Sequence, residues 1–256
     1  MYRIISFYKI CPIDKIENLQ NELKSYCNSK NIKGTILLAE EGINGALAGL
    51  PNDVISVENF INKNYPNLGD IEYKASFADF IPFSKMKVKI KNVVLSFRNP
   101  QNSNEMVVSG NSDYERGEYL NNEEWDEMIN NPEAIIIDTR NEYEFIVGYF
   151  KNAINPGIKN FSGLIEWIDK NLIQQKDKPI CMYCTGGIRC EKSTAYMKKL
   201  GFSKVYHLKG GIIKYLENKI QEQKTINNWI GNLFVFDDRV LIDKNLSPMQ
   251  LYSLKS

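Results

Sequence analysis

Residues 179–192, P-I-C-M-Y-C-T-G-G-I-R-C-E-K, run from a short apolar stretch ending on Cys184, through a glycine-bearing loop closed by Arg189, into a helix beginning near Cys190. The order is strand, loop, helix. The backbone amides of Thr185 to Arg189 can turn toward one point, because Gly186 and Gly187 tolerate dihedrals that other residues resist, and the helix aims its positive end at the same point. Free cysteine titrates at about 8.5, and a helix N-terminus beside an arginine lowers that to about 3.5–7.5. Cys184 is therefore expected to be a thiolate at neutral pH and the best nucleophile in the chain. Thr185, Gly186, Gly187, Ile188 and Arg189 form its active-site loop.

Loop size separates two chemistries. A cysteine-dependent phosphatase places five residues between cysteine and arginine, whereas only Thr185, Gly186, Gly187 and Ile188 intervene here. The shorter loop resembles that of rhodaneses, in which the cysteine carries a sulfane sulfur as a persulfide. A buried cysteine is more often an inert packing residue. The glycine pair, the closing arginine and the helix start argue against that for Cys184. Cys190, one residue past the arginine, is a possible second thiol: it can resolve a persulfide or simply pack.

Composition bounds the rest. The 256 residues are 43% hydrophobic and 25% charged, enough for two modest domains with proper cores. No run of about 18 apolar residues is present, and M-Y-R-I-I-S-F-Y-K-I-C-P is too short and charged for a signal peptide, so a soluble, cytoplasmic protein with no membrane partner is expected. The cysteines, Cys11, Cys27, Cys181, Cys184 and Cys190, are odd in number and three cluster within ten residues, which fits a reduced compartment and a working thiol. A net charge of +1 gives no global pull toward nucleic acid. With His207 alone, one protomer cannot build a two-histidine, one-carboxylate iron site or a three-histidine zinc site, so no metal site and no cofactor are expected. His207 lies in an apparent strand, K-V-Y-H-L, as a half-exposed structural residue outside the site.

Taken in order, residues 2–10 have strand composition, and 14–30 show helical periodicity through Ile16, Leu19 and Leu23. Residues 33–49 contain two apolar runs around Asn44-Gly45, a hairpin pattern whose E-G-I-N-G glycines serve the turn or hold an anion. A helix over 52–64 and strands near 70–77 and 86–97 follow. Strand, helix, hairpin, helix, strand is the ferredoxin-like split order. The polar, turn-rich residues after 98 contain the linker, placed at 99–112. From 113 to 222, strands ending on Asp138 and Cys184 alternate with helices, which predicts a parallel sheet covered on both faces. Cys184 then sits at a strand's C-terminal end, where ligands bind in such sheets. The expected class is α/β, a ferredoxin-like domain at 1–98 before a rhodanese-like parallel-sheet domain, with an extension at 223–256.

One charge pattern stands out. Lys85, Lys87, Lys89 and Lys91 alternate with Met86, Val88 and Ile90, so a strand there sets four ammonium groups on one face and the apolar groups on the other. Two readings stand: a solvated face or lysine-protected edge strand, or a stripe that contacts the phosphates of a nucleic acid.

Over about residues 110–220, D-T-R-N-E-Y-E-F-I-V-G-Y-F-K-N-A-I-N-P and C-T-G-G-I-R resemble the two signatures of the rhodanese family, with Tyr149 where histidine is often found. By that resemblance Asp138, Arg140 and Glu144 form an ion-pair group bracing the sheet's rim. The whole chain resembles something narrower. A-E-E-G-I-N-G-A-L-A-G, C-T-G-G-I-R-C-E-K and W-I-G-N-L-F-V-F-D-D-R-V together are similar to the rhodanese-related tRNA uridine hydroxylases, over about residues 1–243. The resemblance implies oxygen-dependent formation of 5-hydroxyuridine at the tRNA wobble position, with molecular oxygen as co-substrate and tRNA as partner. Many members continue into a cysteine-rich tail; this sequence ends at Ser256 with Leu233 where a cysteine often stands, so a tail-borne zinc site is not expected.

Three functions compete. The first is wobble-uridine hydroxylation with Cys184 as a sulfur-centred nucleophile. A sulfurtransferase, taking sulfur from thiosulfate or a persulfide donor to a thiol, would use the same site. In the third, Cys181, Cys184 and Cys190 are metal ligands of a binding module, with two and then five residues between them.

Overall fold

The computed structural model describes residues 1–99, 102–108 and 115–249. The first domain is a five-stranded sheet built from β1 (Tyr2–Ile10), β2 (Lys33–Ala39), β3 (Gly42–Gly49), β4 (Lys74–Ala78) and β5 (Met86–Ile90), in the order β4-β1-β3-β2-β5. β1 runs antiparallel to β3 and β4, β2 antiparallel to β3, and β5 parallel to β2 at the edge. The first four strands have the ferredoxin-like arrangement. Alternation along each strand divides the residues between two faces. Ile5, Phe7, Ile36, Leu38, Ile43 and Leu47 pack beneath α1 (Ile16–Ser29) and α2 (Pro51–Asn64), which contribute Leu19, Leu23, Val54, Val57 and Ile61. The opposite face carries Ser6, Asn44, Lys74 and Ser76, and these line a cavity against the second domain.

Two strands are shorter than expected. The fourth begins only at Lys74, because Pro66–Leu68 form a 3-10 turn and Asp70 adopts a φ of 61°. The fifth stops at Ile90, which is exposed, while Met86 is half-buried and only Val88 is in the core. Val94 is buried with its amide on Glu41, and the chain then enters the second domain's core, where Phe97 and Val108 are buried and Phe97 stacks on Phe161 at 4.4 Å. Within the stretch expected as a polar linker, 99–112, Val108 is buried in that core, and β7 (Asn102–Met106) pairs with β6 (Arg98–Asn99) in a small hairpin. Residues 100–101 and 109–114 of that stretch lie outside the described residues.

The second domain is a five-stranded parallel sheet of β8 (Glu118–Leu120), β9 (Ile135–Asp138), β11 (Ala153–Ile154), β12 (Ile180–Tyr183) and β13 (Val205–Leu208), in the order β11-β9-β12-β13-β8; the short β10 (Gly148–Phe150) lies outside it. α3 (Asn122–Asn130) and α7 (Gly211–Gln221) cover one face through Trp125, Ile129, Ile212 and Leu216; α5 (Gly163–Asn171) and α6 (Ile188–Lys199) cover the other through Leu164, Ile168, Ala195 and Met197. Between α3 and α5, the one-and-a-half-turn α4 (Glu142–Val147) starts at Asn141, whose backbone amide donates to the Glu144 carboxylate at 3.1 Å. β12 alternates as its sequence predicts, sending Cys181 and Tyr183 into the α3/α7 core and Met182 and Cys184 into the α5/α6 core. His207 is fully buried rather than half-exposed, with its ring stacked on Tyr119 at 4.3 Å. Beyond α7, β14 (Trp229–Gly231) pairs with β10, and a hairpin of β15 (Leu233–Phe234) and β16 (Leu241–Ile242) returns to the first domain, where the Asp238 amide bonds the Pro82 carbonyl at 3.1 Å. No helix among the described residues is long and apolar enough to cross a membrane.

Candidate active site

The loop after β12 closes around a sulfur. The Gly187 amide donates to Cys184 Sγ at 3.1 Å. Gly187 has a φ of 99°, and a Cβ there would stand 2.9 Å from Tyr8 Oη, so both conformation and space require glycine. Gly186 is under neither constraint, contrary to the expectation that both glycines shape the loop: its φ is ordinary and nothing lies near its absent Cβ. The loop's carbonyls are fixed as well. The amides of Ile212 and Ile213, in the first turn of α7, bind the carbonyls of Cys184 and Thr185 at 3.0 and 3.1 Å. Gly211 permits that approach, since a Cβ on it would meet the Cys184 carbonyl at 2.5 Å.

Arg189 closes the loop through a partner. Its guanidinium forks onto Glu144 at 2.6 and 2.8 Å and reaches Thr185 Oγ1 at 3.2 Å; the Thr185 hydroxyl in turn donates to Glu144 at 3.2 Å. Glu144 is fully buried, and burial would raise its pKa, but the paired Arg189 holds it below the usual carboxylate range. The trio expected to brace the sheet's rim thus divides. Asp138 and Arg140 pair with each other at 2.6 Å, and Arg140 also binds the Gly148 carbonyl, while Glu144 belongs to the cysteine loop. Thr185, expected in the active-site loop, places its hydroxyl on Glu144.

Cys184 and Cys190 are fully buried side by side. Burial opposes ionisation of Cys184, yet the hydrogen bond from the Cys190 thiol, the Arg189 charge and the Arg189 and Gly187 amides bring its pKa down to about 5. Cys190 is driven the other way, by burial and by the thiolate beside it, and stays protonated; Thr139 Oγ1 lies 3.8 Å from its sulfur. The pair therefore forms one donor and one thiolate. Cys181 faces the opposite core across the sheet, so the three cysteines do not converge as metal ligands. Among the described residues no other His, Cys, Asp and Glu group is arranged to hold a metal ion.

Above the thiolate lies a cavity of about 550 Å³. Its floor is Cys184, Thr185 and Gly186; its roof is the open face of the first domain's sheet, and residues 235–239 of the extension form a side. Arg239 is buried there, paired with Asp237 at 2.6 Å and bonded to Ser76 at 2.8 Å, so the extension ties the domains at the cavity edge. Phe236 is 64% exposed at the same edge.

The helix after the loop carries the domain contact. Tyr8 and Tyr119 each donate to Glu191 at 2.7 Å, and Lys192 binds Glu41 at 2.8 and 3.0 Å and the Leu95 carbonyl at 2.8 Å. Glu41 belongs to A-E-E-G-I-N-G, whose glycines had been assigned to a turn or an anion; the glutamate before them bridges the domains. Lys85, Lys87, Lys89 and Lys91 lie on or beside the edge strand β5, with Lys87 half-buried and the other three exposed. Lys87 and Lys89 are level with Thr35 and Leu37, which line the cavity. The stripe thus runs along the roof's rim. Sequence reasoning missed Glu144 as a loop partner and did not single out Tyr8, Glu41, Lys74, Gly211 or Arg239. For Gly211 a signal existed in the Gly210-Gly211 pair; for Tyr8, Glu41, Lys74 and Arg239 only the docked domains reveal the role.

Residues 2–94 match the UPF0176 acylphosphatase-like domain and residues 121–218 the rhodanese-like domain. Across both, the chain is 44% identical over 245 residues to the tRNA uridine(34) hydroxylase of Wolbachia pipientis wMel, an alignment covering 96% of this chain and 84% of that protein. It is 42% identical over 243 residues to the protein of the same name from Legionella pneumophila strain Lens, covering 95% and 91%. The Ehrlichia canis strain Jake protein of that name is 43% identical over 255 residues, covering 96% and 86%. Two domains joined in this order, with identity sustained through both and into the extension, place this chain in the tRNA uridine(34) hydroxylase family.

Proposed function

We propose that this protein hydroxylates the wobble uridine of tRNA to 5-hydroxyuridine, with molecular oxygen as co-substrate and Cys184 as the sulfur nucleophile. The observation that carries the reading is the buried, ionised Cys184 beneath a cavity roofed by a second domain. About 300–1,000 Å³ is the usual size of a small-molecule site, and a cavity of about 550 Å³ accepts one nucleoside drawn out of an anticodon loop. A base delivered there meets the thiolate away from bulk water, while Lys85, Lys87, Lys89 and Lys91 on the roof's rim hold the RNA backbone. Phe236 offers an exposed ring at the entrance on which a neighbouring base can stack.

The test is to express the chain in a bacterial strain lacking its own 5-hydroxyuridine-forming enzymes and to analyse tRNA nucleosides by mass spectrometry. The expected result is 5-hydroxyuridine at position 34 in aerated cultures and its absence in oxygen-free ones. No 5-hydroxyuridine with air, combined with thiocyanate formation from thiosulfate and cyanide by the purified protein, would transfer the site to sulfur transfer.

A further inference from the structure

Three cations line the cavity above Cys184, and two have carboxylate partners. Arg189 is forked onto Glu144 and Arg239 onto Asp237. Lys74 differs. It comes from β4 of the first domain, is 2% exposed, and among the described residues forms no ion pair. Its ammonium keeps one long hydrogen bond, 3.4 Å, to the Glu72 carbonyl and lies over the Tyr8 ring at 4.7 Å. An ammonium has three donors, and taking it out of water without partners for them is costly.

Lys74 touches both the 550 Å³ cavity and a neighbouring one of about 320 Å³ that contains Tyr8 and Glu191, so it stands in the wall between the thiolate and the domain contact. Burial lowers its pKa to about 8, with Glu72 and the Cys184 thiolate acting to hold it up, and it remains mostly protonated at neutral pH.

We propose that Lys74 is a catalytic residue supplied by the first domain, whose ammonium faces the Cys184 thiolate and donates a hydrogen bond to a carbonyl oxygen of the entering pyrimidine. The second half rests on the function proposed above; the first does not. Pyrimidine carbonyl oxygens are acceptors, and addition of a nucleophile such as the Cys184 thiolate at C6 moves the C5=C6 π pair toward C5 and the conjugated oxygen at C4. A fixed cation aimed there acts most strongly in the transition state, in a cavity that excludes water. On this account the first domain completes the active site and does more than hold RNA.

The experiment compares wild type, Lys74→Met and Lys74→Arg in three readouts. Thiolate absorbance near 240 nm, which needs no tRNA, gives the Cys184 titration midpoint; the initial rate of 5-hydroxyuridine accumulation after induction gives activity; thermal melting reports folding. Lys74→Met should raise the thiolate midpoint and cut the initial rate by about a hundredfold or more. It should melt no lower than wild type, since methionine fills the space without a buried charge. Lys74→Arg should keep the midpoint and recover part of the rate. An unchanged midpoint in Lys74→Met overturns the contact with the thiolate whether or not tRNA is the substrate. A raised midpoint with a wild-type rate overturns the contact with the pyrimidine.

Discussion

Tyr8, in the first strand of the chain, donates its phenolic hydrogen to Glu191 at 2.7 Å across 183 residues of sequence. Glu191 directly follows Cys190, and Lys192 next to it binds Glu41 of the first domain. The three residues C-E-K thus have three duties: Cys190 donates to the thiolate, Glu191 receives the first strand, and Lys192 anchors the hairpin. The same short turn that holds the reactive sulfur also fixes the roof above it.

Breaking the Lys192–Glu41 pair should loosen that roof. Both side chains are almost wholly buried, so Lys192→Ala removes the cation from a buried carboxylate that keeps the Val94 amide at 2.9 Å, and removing one partner of such a pair costs about 3–5 kcal/mol. Urea unfolding should show the loss as a lower midpoint. The double variant Lys192→Met, Glu41→Gln, which removes both charges, should regain much of it; equal losses in the two variants would show that the pair is not what joins the domains.

The thiolate should titrate well below an ordinary cysteine and depend on Cys190. Absorbance near 240 nm should rise through a midpoint near pH 5. Cys190→Ala should move that midpoint upward, while Cys190→Ser, which keeps an O–H donor, should move it less. The sign for stability follows. The folded pKa lies below the usual value near 9, so ionisation of Cys184 favours the folded state in full above about pH 9, and this contribution is lost as pH falls toward and through about 5. A midpoint above 8 in wild type would contradict the account of the loop.

Arg189→Lys should keep the charge and lose the fork. Lysine cannot make both bonds to Glu144 and still reach Thr185, so the loop should relax and the initial rate of 5-hydroxyuridine formation should fall about tenfold or more. Glu144→Gln should produce a similar loss, because the two residues act as one unit. A wild-type rate in both would mean that the backbone amides alone hold the sulfur.

The cysteine loop was legible because its chemistry is local: strand, glycine, arginine and helix start follow one another within a dozen residues. The two folds were legible from periodicity, and β12 alternates between cores as its residues predict. What could not be read is where α6 lies. Its sequence, I-R-C-E-K-S-T-A-Y-M-K-K, lacks an apolar stripe, yet everything from Arg189 to Met197 is buried, because one side meets the sheet and the other meets the first domain. Polar residues buried at such a contact look like surface residues in a sequence. Lys74 is hidden for the same reason: its strand alternates as any half-exposed strand does, and only the second domain turns its outer face into a cavity wall. Ile90 errs in the opposite sense, an apolar residue left 38% exposed at the end of an edge strand.

The lysine stripe should govern RNA and leave the sulfur alone. Replacing Lys85, Lys87, Lys89 and Lys91 with glutamine removes four positive charges from the rim while leaving Val88 in the core. The slope of log affinity against log salt for tRNA should flatten by about 0.7–0.9 per lysine that meets a phosphate. The Cys184 thiolate midpoint should stay where it was. An unchanged slope would make the stripe a device that protects a sheet edge.

The central claim, that Cys184 is the group through which this protein modifies tRNA, is tested most directly by one substitution. Cys184→Ser replaces a thiolate with a hydroxyl that does not ionise at neutral pH, in a loop whose amides and Arg189–Glu144 pair remain. Nucleoside mass spectrometry of position 34 in the complemented strain should find 5-hydroxyuridine with wild type and none with Cys184→Ser at equal protein level and equal melting temperature; undiminished 5-hydroxyuridine in that variant would contradict the account.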